Sequence, residues 1–478
     1  MVIDINSKER RYTICLENLS GGGYNGRIYE RIADIVNARR NAKSKMEKVY
    51  ARDKYFNNIA ADPGYVLTPE QEKEINDFWG RYSFAYKNDP NTQRIFSGIS
   101  GKFDPTYVGF GLQYYYLNRY WNNITVAMIR NKNFLDLTFP NAKQPKVIVR
   151  NMWARYYTPD RKLINLNEAV QLVYDELQKP SVEDLILKPD DGELGKGIVF
   201  LDKGYTPEMI KQAFIDARER FLVQEVIKNH PTYAAPHSES LNTLRIVTLF
   251  IKNKVRLVGT VWKMGRNERV DNLAAGGISC AVNEDGICAD YAVDDYGNRY
   301  EKHPGGFEFA GHQLYNCKAA IDMAISLHYT LPQIKYVSWD IAINEDGEPV
   351  LIEFNSCGGS EMPQMNGWLM YIDKDTLKDI LDVYLLEKFY YDRVSWKWNY
   401  REYHDHAEIV KYGGTARRIE IPRTLSGKLV TKIEATAFRG TDMKKIIMFD
   451  TAKITGKGEF VGISPECKIV ITQTEEKK

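Results

Sequence analysis

The sequence predicts an α+β fold, and three observations predict it. Short apolar runs double back through polar turns, helical spacings stand between them, and the apolar content is enough for several cores. The chain has 478 residues, of which 44% are apolar, 27% charged and 12% aromatic. At about 150 residues per domain this suggests three folding units. Sixty-five basic and sixty-three acidic side chains leave a net charge of +2. That balance argues against a nucleic-acid partner, which needs a clustered basic excess. The cysteines stand at 15, 280, 288, 317, 357 and 467. No two of them have the spacing of a zinc ribbon or a redox pair, and they do not read as a disulfide framework. No apolar run reaches the length of a membrane span, and the N-terminus lacks the basic-then-apolar form of a signal peptide. The expectation is a soluble, cytoplasmic protein with reduced thiols and no integral membrane segment.

Residues 1 to about 140 are polar and aromatic-rich. Helical periodicity covers 26–60 and 69–88, with Thr68-Pro69-Glu70 and Glu72 as a capped start. The Tyr-rich stretch 107–121 reads as packing surface, and Gly21-Gly22-Gly23 as a turn. From about 145 the rhythm changes. KVIVR (146–150) predicts a strand, Leu166 to Gln178 a helix, and DLILKP (184–189) a strand ended by proline. FLVQEVI (221–227) and LRIVTLFI (244–251) are strand-like, the latter turning at Asn253-Lys254 into VRLVGTVWKM (255–264). Leu314 to His328 has helical spacing. YVSWDIAINEDGEPVLIEFN (336–355) reads as a hairpin turning at Asp346-Gly347. Beyond 410, RRIEIP, KKIIMF and CKIVIT recur. Ile446 and Ile469 are 23 residues apart, and Ile419 and Ile446 are 27 apart, reducible to 23 if SGKL (426–429) is an insertion. A short strand at that period predicts a stacked solenoid.

The 336–355 hairpin carries the chemistry. With the turn at Asp346-Gly347, residues whose numbers add to 693 face each other, which sets Asp340 against Glu353. Period-two alternation places Asn355 and Leu351 on the face of Glu353, and Ile341, Ile343, Val350, Ile352 and Phe354 on the opposite, buried face. Two opposed carboxylates repel unless a cation lies between them, and with an Asn amide they form an all-oxygen set suited to Mg²⁺. Upstream, LILKPDDGELGKGIVFL (185–201) joins Lys188 to a loop with Gly192, Gly195, Lys196 and Gly197. Glycines let backbone amides approach phosphate and lysines offset its charge; a plain Gly-rich hairpin turn is the equal alternative. Gln224-Glu225, in the middle of an apolar strand, is a weak signal for reading an adenine edge.

The order of these parts resembles the ATP-grasp superfamily: a strand lysine, a Gly-rich lid, a Q-E-V-I linker, and then D…E-x-N. More narrowly, NTLRIVT (242–248), WKMG (262–265), VDNLAAGG (270–277), HPGGFEFAG (303–311), WDIAI (339–343) and LIEFN (351–355) are similar to the sugar-transfer-associated ATP-grasp proteins, relatives of alpha-L-glutamate ligases. The match covers about 140–390. The tail resembles BspA-type leucine-rich repeats over about 410–472. The resemblance implies a mostly helical, acceptor-binding region over 1–140, a catalytic domain over 141–400 with two subdomains gripping ATP, and a repeat segment over 410–478.

It further implies that Lys188, Gly195, Lys196 and Gly197 contact the ATP phosphates. Gln224, Glu225, Val226 and Ile227 would line the adenine, and Asp340, Glu353 and Asn355 would hold Mg²⁺. Arg245 and Lys263 would clamp the γ-phosphate and acyl phosphate. Asp271, Asn272, Gly276, Gly277 and His303 would face substrate. Many amide-forming members carry an Arg two residues before the metal-binding Asp; here Ser338 stands there, with Arg245 or Arg266 as substitutes. The implied activity is carboxylate–amine ligation through an acyl phosphate, in the modification of a surface polysaccharide or a sugar–amino-acid conjugate. Its partners would be a small or sugar-linked carboxylate, an amine, and a protein recruited by the repeats. A kinase acting on a hydroxyl, or a non-catalytic scaffold, are the rival readings.

Overall fold

A computed structural model describes residues 3–7, 10–14, 46–60, 62–83, 86–122, 131–190, 197–251, 254–266, 269, 271–356, 358–371, 373–381, 398–413, 417–425 and 428–472. Gly21-Gly22-Gly23, the 26–45 part of the first expected helix, Asn253, Gly192, Gly195 and Lys196 lie outside them. The chain forms two compact units, Lys48–Ile380 on one hand and Met1–Glu47 with Leu381–Lys478 on the other. Among the described residues no helix is long and apolar enough to cross a membrane.

The larger unit holds two antiparallel sheets. The six-stranded one runs Leu163–Ile164, Arg155–Tyr157, Val147–Met152, Arg220–Glu225, Asp184–Pro189, Val199–Asp202. Helices Leu166–Leu177 and Pro207–Ala217 cover it, burying Val170, Val173, Leu177, Ile210 and Phe214. The first of these begins at a capping box between Asn165 and Glu168, which satisfies two end-of-helix amides. The seven-stranded sheet runs Arg299–Tyr300, Cys288–Val293, Ile278–Val282, Lys254–Met264, Thr243–Ile251, Tyr336–Ile343, Pro349–Asn355. Helix Cys317–Tyr329 packs on it through Ala320, Ile321, Ala324 and Leu327.

The boundary expected at residue 140 falls inside this unit. Phe56, Ile95, Phe96, Ile99 and Tyr107 share one core with Tyr291, Val293 and Met365. Gln364 holds Val108 at both ends, accepting from its amide at 2.8 Å and donating to its carbonyl at 2.9 Å. The expected 69–88 helix stops at Trp79, where Gly80 opens a 3-10 turn. Its capping box pairs Thr68 with Gln71 rather than Glu72, since the reciprocal bond needs the third helical position. Helix Pro90–Ser100, which composition did not announce, follows. In the Tyr-rich stretch Tyr107 and Tyr116 are buried, as packing surface should be.

In the smaller unit the C-terminal strands form parallel ladders. Arg418–Glu420, Lys445–Phe449 and Lys468–Thr472 align Ile419, Ile446 and Ile469 in one register. His406–Tyr412, Lys428–Ile433 and Lys453–Ile454 form the second ladder. Within the first interval Thr424–Leu425 pairs antiparallel with Lys428–Ile433.

Candidate active site

The hairpin's register answers the central expectation. Asp340 does pair with Glu353, and Ser338 with Asn355, but Ile341 pairs with Leu351. Two irregularities compensate. The loop spans three residues, 345–347, with Asn344 and Glu348 bonded across it and Gly347 at φ 81°, the left-handed position such loops require. This shifts the register by one, and a bulge taking in Ile352 restores it before Glu353. The bulge also corrects the expected faces. Leu351 is buried in the core beside Ile341 and Phe354, while Ile352 turns out to line the cleft.

On its other side Asp340 pairs across the sheet with Arg245. The Arg245 guanidinium grips the Asp340 carboxylate in two-pronged fashion, Nε donating to Oδ1 at 2.5 Å and an Nη to Oδ2 at 2.9 Å. The Lys263 ammonium lies 3.5 Å from the same carboxylate and 3.4 Å from Asp271. Burial works against the charge on Asp340, yet Arg245 and then Lys263 hold its carboxyl below the usual range. Burial likewise opposes the charge on Arg245, and Asp340 more than restores it. The Lys132 ammonium lies 3.3 Å from Glu353.

These groups lie in a cleft of about 1220 Å³ walled by both sheets of the larger unit. Lys188, Gln224, Glu225, Val226, Ile227, Arg245, Lys263, Asp271, Asn272, Asp340, Glu353 and Asn355 all line it. Lys132, Lys188, Arg245 and Lys263 thus stand around Asp271, Asp340 and Glu353. Without a ligand these charges satisfy one another. A triphosphate can draw the cations, which leaves Asp340, Glu353 and the Asn355 amide as an all-oxygen set that fits Mg²⁺. Glu225 accepts from the Lys146 amide at 2.8 Å, so its side chain is committed to the sheet; the chain beyond the strand end, Val226 and Ile227, faces the cleft.

Lys188 projects from the six-stranded sheet. Burial pushes its amine down from 10.5 to about 8, with Glu353 acting in the opposite sense. Between those values the unfolded chain binds the proton and the folded one does not, so this group makes stability rise with pH from about 8 towards 10.5. A triphosphate beside it would restore the charge. Nucleotide binding at about pH 9 is therefore expected to take up close to one proton, read calorimetrically in two buffers of different ionisation enthalpy. Lys188→Gln should remove most of that uptake.

Five expected residues are not brought to the cleft lining. Arg266 is tied to the Gly276 carbonyl and, at 2.9 Å, to the Tyr300 hydroxyl. Gly276 has φ 95° and closes the 3-10 turn Leu273–Ala275, a conformation that favours glycine. Gly277 is pressed against backbone, since a Cβ there would meet the Asp271 carbonyl at 2.6 Å. His303 is buried, its ring nitrogens held by the Gly265 carbonyl at 2.9 Å and the Gly305 amide at 3.0 Å. Gly197, at φ 75°, is exposed and precedes strand Val199–Asp202; it too is not part of the lining. The strand that follows it pairs antiparallel with Asp184–Pro189. Ser338 is buried with Gly358 against it, where a Cβ on that glycine would lie 2.4 Å from the Ser338 hydroxyl. Gly358 packs directly on the Ser338 side chain, and Arg245 reaches Asp340 from the adjacent strand.

Sequence reasoning missed Lys132 and a whole end of the cleft. Arg52, Phe110, Tyr114, Tyr115, Asp295 and Glu361 line it beside the predicted groups. Arg52 stands in the periodic stretch 26–60 and the aromatic residues in the Tyr-rich stretch, within the region expected to bind the acceptor, but long-range packing alone sets them beside Asp295 and Glu361.

A model of the sugar-transfer associated ATP-grasp family matches residues 116–371. No curated protein matches the chain. Among solved structures, the biotin carboxylase domain of Hydrogenobacter thermophilus 2-oxoglutarate carboxylase is similar at 14% identity and TM-score 0.31, over 50% of this chain and 42% of that one. An L-amino acid ligase from Bacillus licheniformis is similar at 15% identity and TM-score 0.31, over 53% of this chain and 49% of that one. D-alanyl-alanine synthetase A from Vibrio cholerae is similar at 11% identity and TM-score 0.34, over 54% and 66%. The chain therefore spans less than half the length of the first two, and similarity at this level says nothing of activity. The family match is of another kind: it takes in more than half of the 478 residues, and the chain belongs to the sugar-transfer associated ATP-grasp family.

Proposed function

We propose that the chain is an ATP- and Mg²⁺-dependent carboxylate–amine ligase acting through an acyl phosphate. The observation that carries this reading is the facing of Asp340 and Glu353, with Asn355 beside them, in a cleft that Lys132, Lys188, Arg245 and Lys263 also line. Lys188 and Lys132 hold the phosphates, and Val226 and Ile227 border the base. Arg245 and Lys263 exchange Asp340 for the γ-phosphate and steady the charge that builds there. Asp340, Glu353 and Asn355 hold Mg²⁺, which when bound offsets negative charge on the phosphate oxygens. A substrate carboxylate, small or sugar-linked, attacks the γ-phosphorus and ADP leaves. The amine then displaces phosphate from the acyl carbon. We read the C-terminal ladders as turns of a short repeat that offers a surface to a protein partner.

The rival kinase reading draws on Ser338, and one assay separates the two. With glucuronate as carboxylate and hydroxylamine as nucleophile, a ligase yields ADP, free phosphate and a hydroxamate. A kinase yields ADP and a phosphorylated sugar without phosphate release, and that outcome would overturn the ligase reading.

A further inference from the structure

The cleft holds more space than a nucleotide site needs. Its volume, about 1220 Å³, exceeds the roughly 300–1,000 Å³ usual for one small ligand. Part of its lining comes from the helix over 46–59, from Phe110 and the turn at Leu112–Leu117, and from the segment after Asn355. We propose that this end, walled by Arg52, Phe110, Tyr114, Asp295 and Glu361, is the amine-substrate site, and that it takes a sugar ring bearing both an amine and an anionic group. The proposal rests on the ligase reading above and names the substrate class of its second step.

Each wall has its own chemistry. Phe110 and Tyr114 stack with ring centroids 5.3 Å apart, an aromatic surface of the kind that packs on the C–H face of a ring. The Arg52 guanidinium lies 4.7 Å from the Phe110 centroid, and its Nε is buried with no hydrogen-bond partner among the described residues. The Glu361 Oε2 is likewise buried and without a partner among the described residues. A buried donor and a buried acceptor left unmade are each costly, and a ligand carrying an anion and an amine would satisfy both.

The wall is also tied into the fold by hydrogen bonds. Asp53 accepts from the Gly111 amide at 2.6 Å and from the Tyr86 hydroxyl at 3.0 Å, which fixes the start of the aromatic turn. Across from it, a Cβ on Gly359 would lie 2.2 Å from the Glu361 carboxylate and 2.5 Å from the Phe110 ring. Only a glycine lets the two walls close in so far.

Glu361 suits the proton transfer. Burial pushes its carboxyl up to about 7, Asp295 adds to the rise, and Arg52 and Arg245 oppose it. Arg245 is thus in electrostatic reach of Glu361, which joins this end of the cleft to the phosphate end. In the second step the neutral amine attacks the acyl carbon and a C–N bond forms. The C–O bond to phosphate breaks, its electron pair leaving with phosphate, and the proton lost by nitrogen passes to the Glu361 carboxylate.

The test is calorimetric, on the full chain saturated with Mg²⁺ and a non-hydrolysable ATP analogue. Glucosamine 6-phosphate should bind at least about tenfold more tightly than glucose 6-phosphate, which lacks the amine, or glucosamine, which lacks the anion. Glu361→Gln and, separately, Asp295→Asn should erase the preference for the amine, and Arg52→Met the preference for the phosphate. Affinity for the analogue reports that each variant is folded and should stay within about twofold. Equal binding of the three sugars by the wild type, or a Glu361→Gln variant that still prefers the amine, would overturn the proposal. Failure of the wild type to bind the analogue would instead overturn the nucleotide reading.

Discussion

Glu353→Ala is expected to abolish Mg²⁺-dependent ATP turnover while leaving the fold intact. Glu353 is a third exposed, and its one ion-pair partner among the described residues, Lys132, lies 3.3 Å away at the rim of the cleft. Little packing is lost with it. What goes is one of two carboxylates facing a shared space, so the cation is left with Asp340 and an amide. Loss of an outer-shell group commonly costs 10–100-fold in metal affinity, and loss of a direct ligand should cost more, at least about 100-fold in turnover. Phosphate release measured across a Mg²⁺ titration checks this, with thermal unfolding as the control. Full activity would remove the metal assignment.

Arg245→Met is expected to strike stability and activity together. It strips the two-pronged partner from a carboxylate that is 7% exposed and leaves Lys263 at 3.5 Å. Breaking a buried pair from one side typically costs about 3–5 kcal/mol, because the remaining charge stays desolvated. Adding Asp340→Leu should recover most of that stability and none of the activity, which separates the cost of an orphaned charge from the loss of chemistry. The pH dependence has a definite sign. The folded protein holds the Asp340 carboxyl below its usual range, so this group contributes stability above about pH 4, and that contribution fades as acid protonates it. Acid unfolding of Arg245→Met should be correspondingly shallower. Denaturant melts of the three proteins at pH 7 and under acid measure both effects.

The parts of this site that could be read in advance are those fixed by local periodicity. Alternation and a turn glycine place Asp340 opposite Glu353, and the strand Lys254–Met264 follows from its run of apolar residues. Even there the agreement rests on a three-residue loop cancelled by a bulge, and the faces of Leu351 and Ile352 were exchanged in consequence. Glycines misled in a different way. Gly276 and Gly277 look like a substrate loop, but one closes a turn and the other lets backbone approach backbone. His303, expected to face substrate, is committed to its own loop by both ring nitrogens. Arg52, Asp295 and Glu361 could not be read at all, since only tertiary packing brings together residues so far apart in the chain. The register of Ile419, Ile446 and Ile469 shows the other extreme, where a spacing alone located three neighbouring strands.

The most direct measurement is a crystal of the full chain grown with Mn²⁺ and a non-hydrolysable ATP analogue, examined for anomalous scattering. The account predicts a peak bounded by Asp340, Glu353 and Asn355, with the analogue's phosphates reaching Lys188 and Arg245. A bound analogue whose metal peak lies elsewhere, with Asp340 still gripped by Arg245, would contradict it.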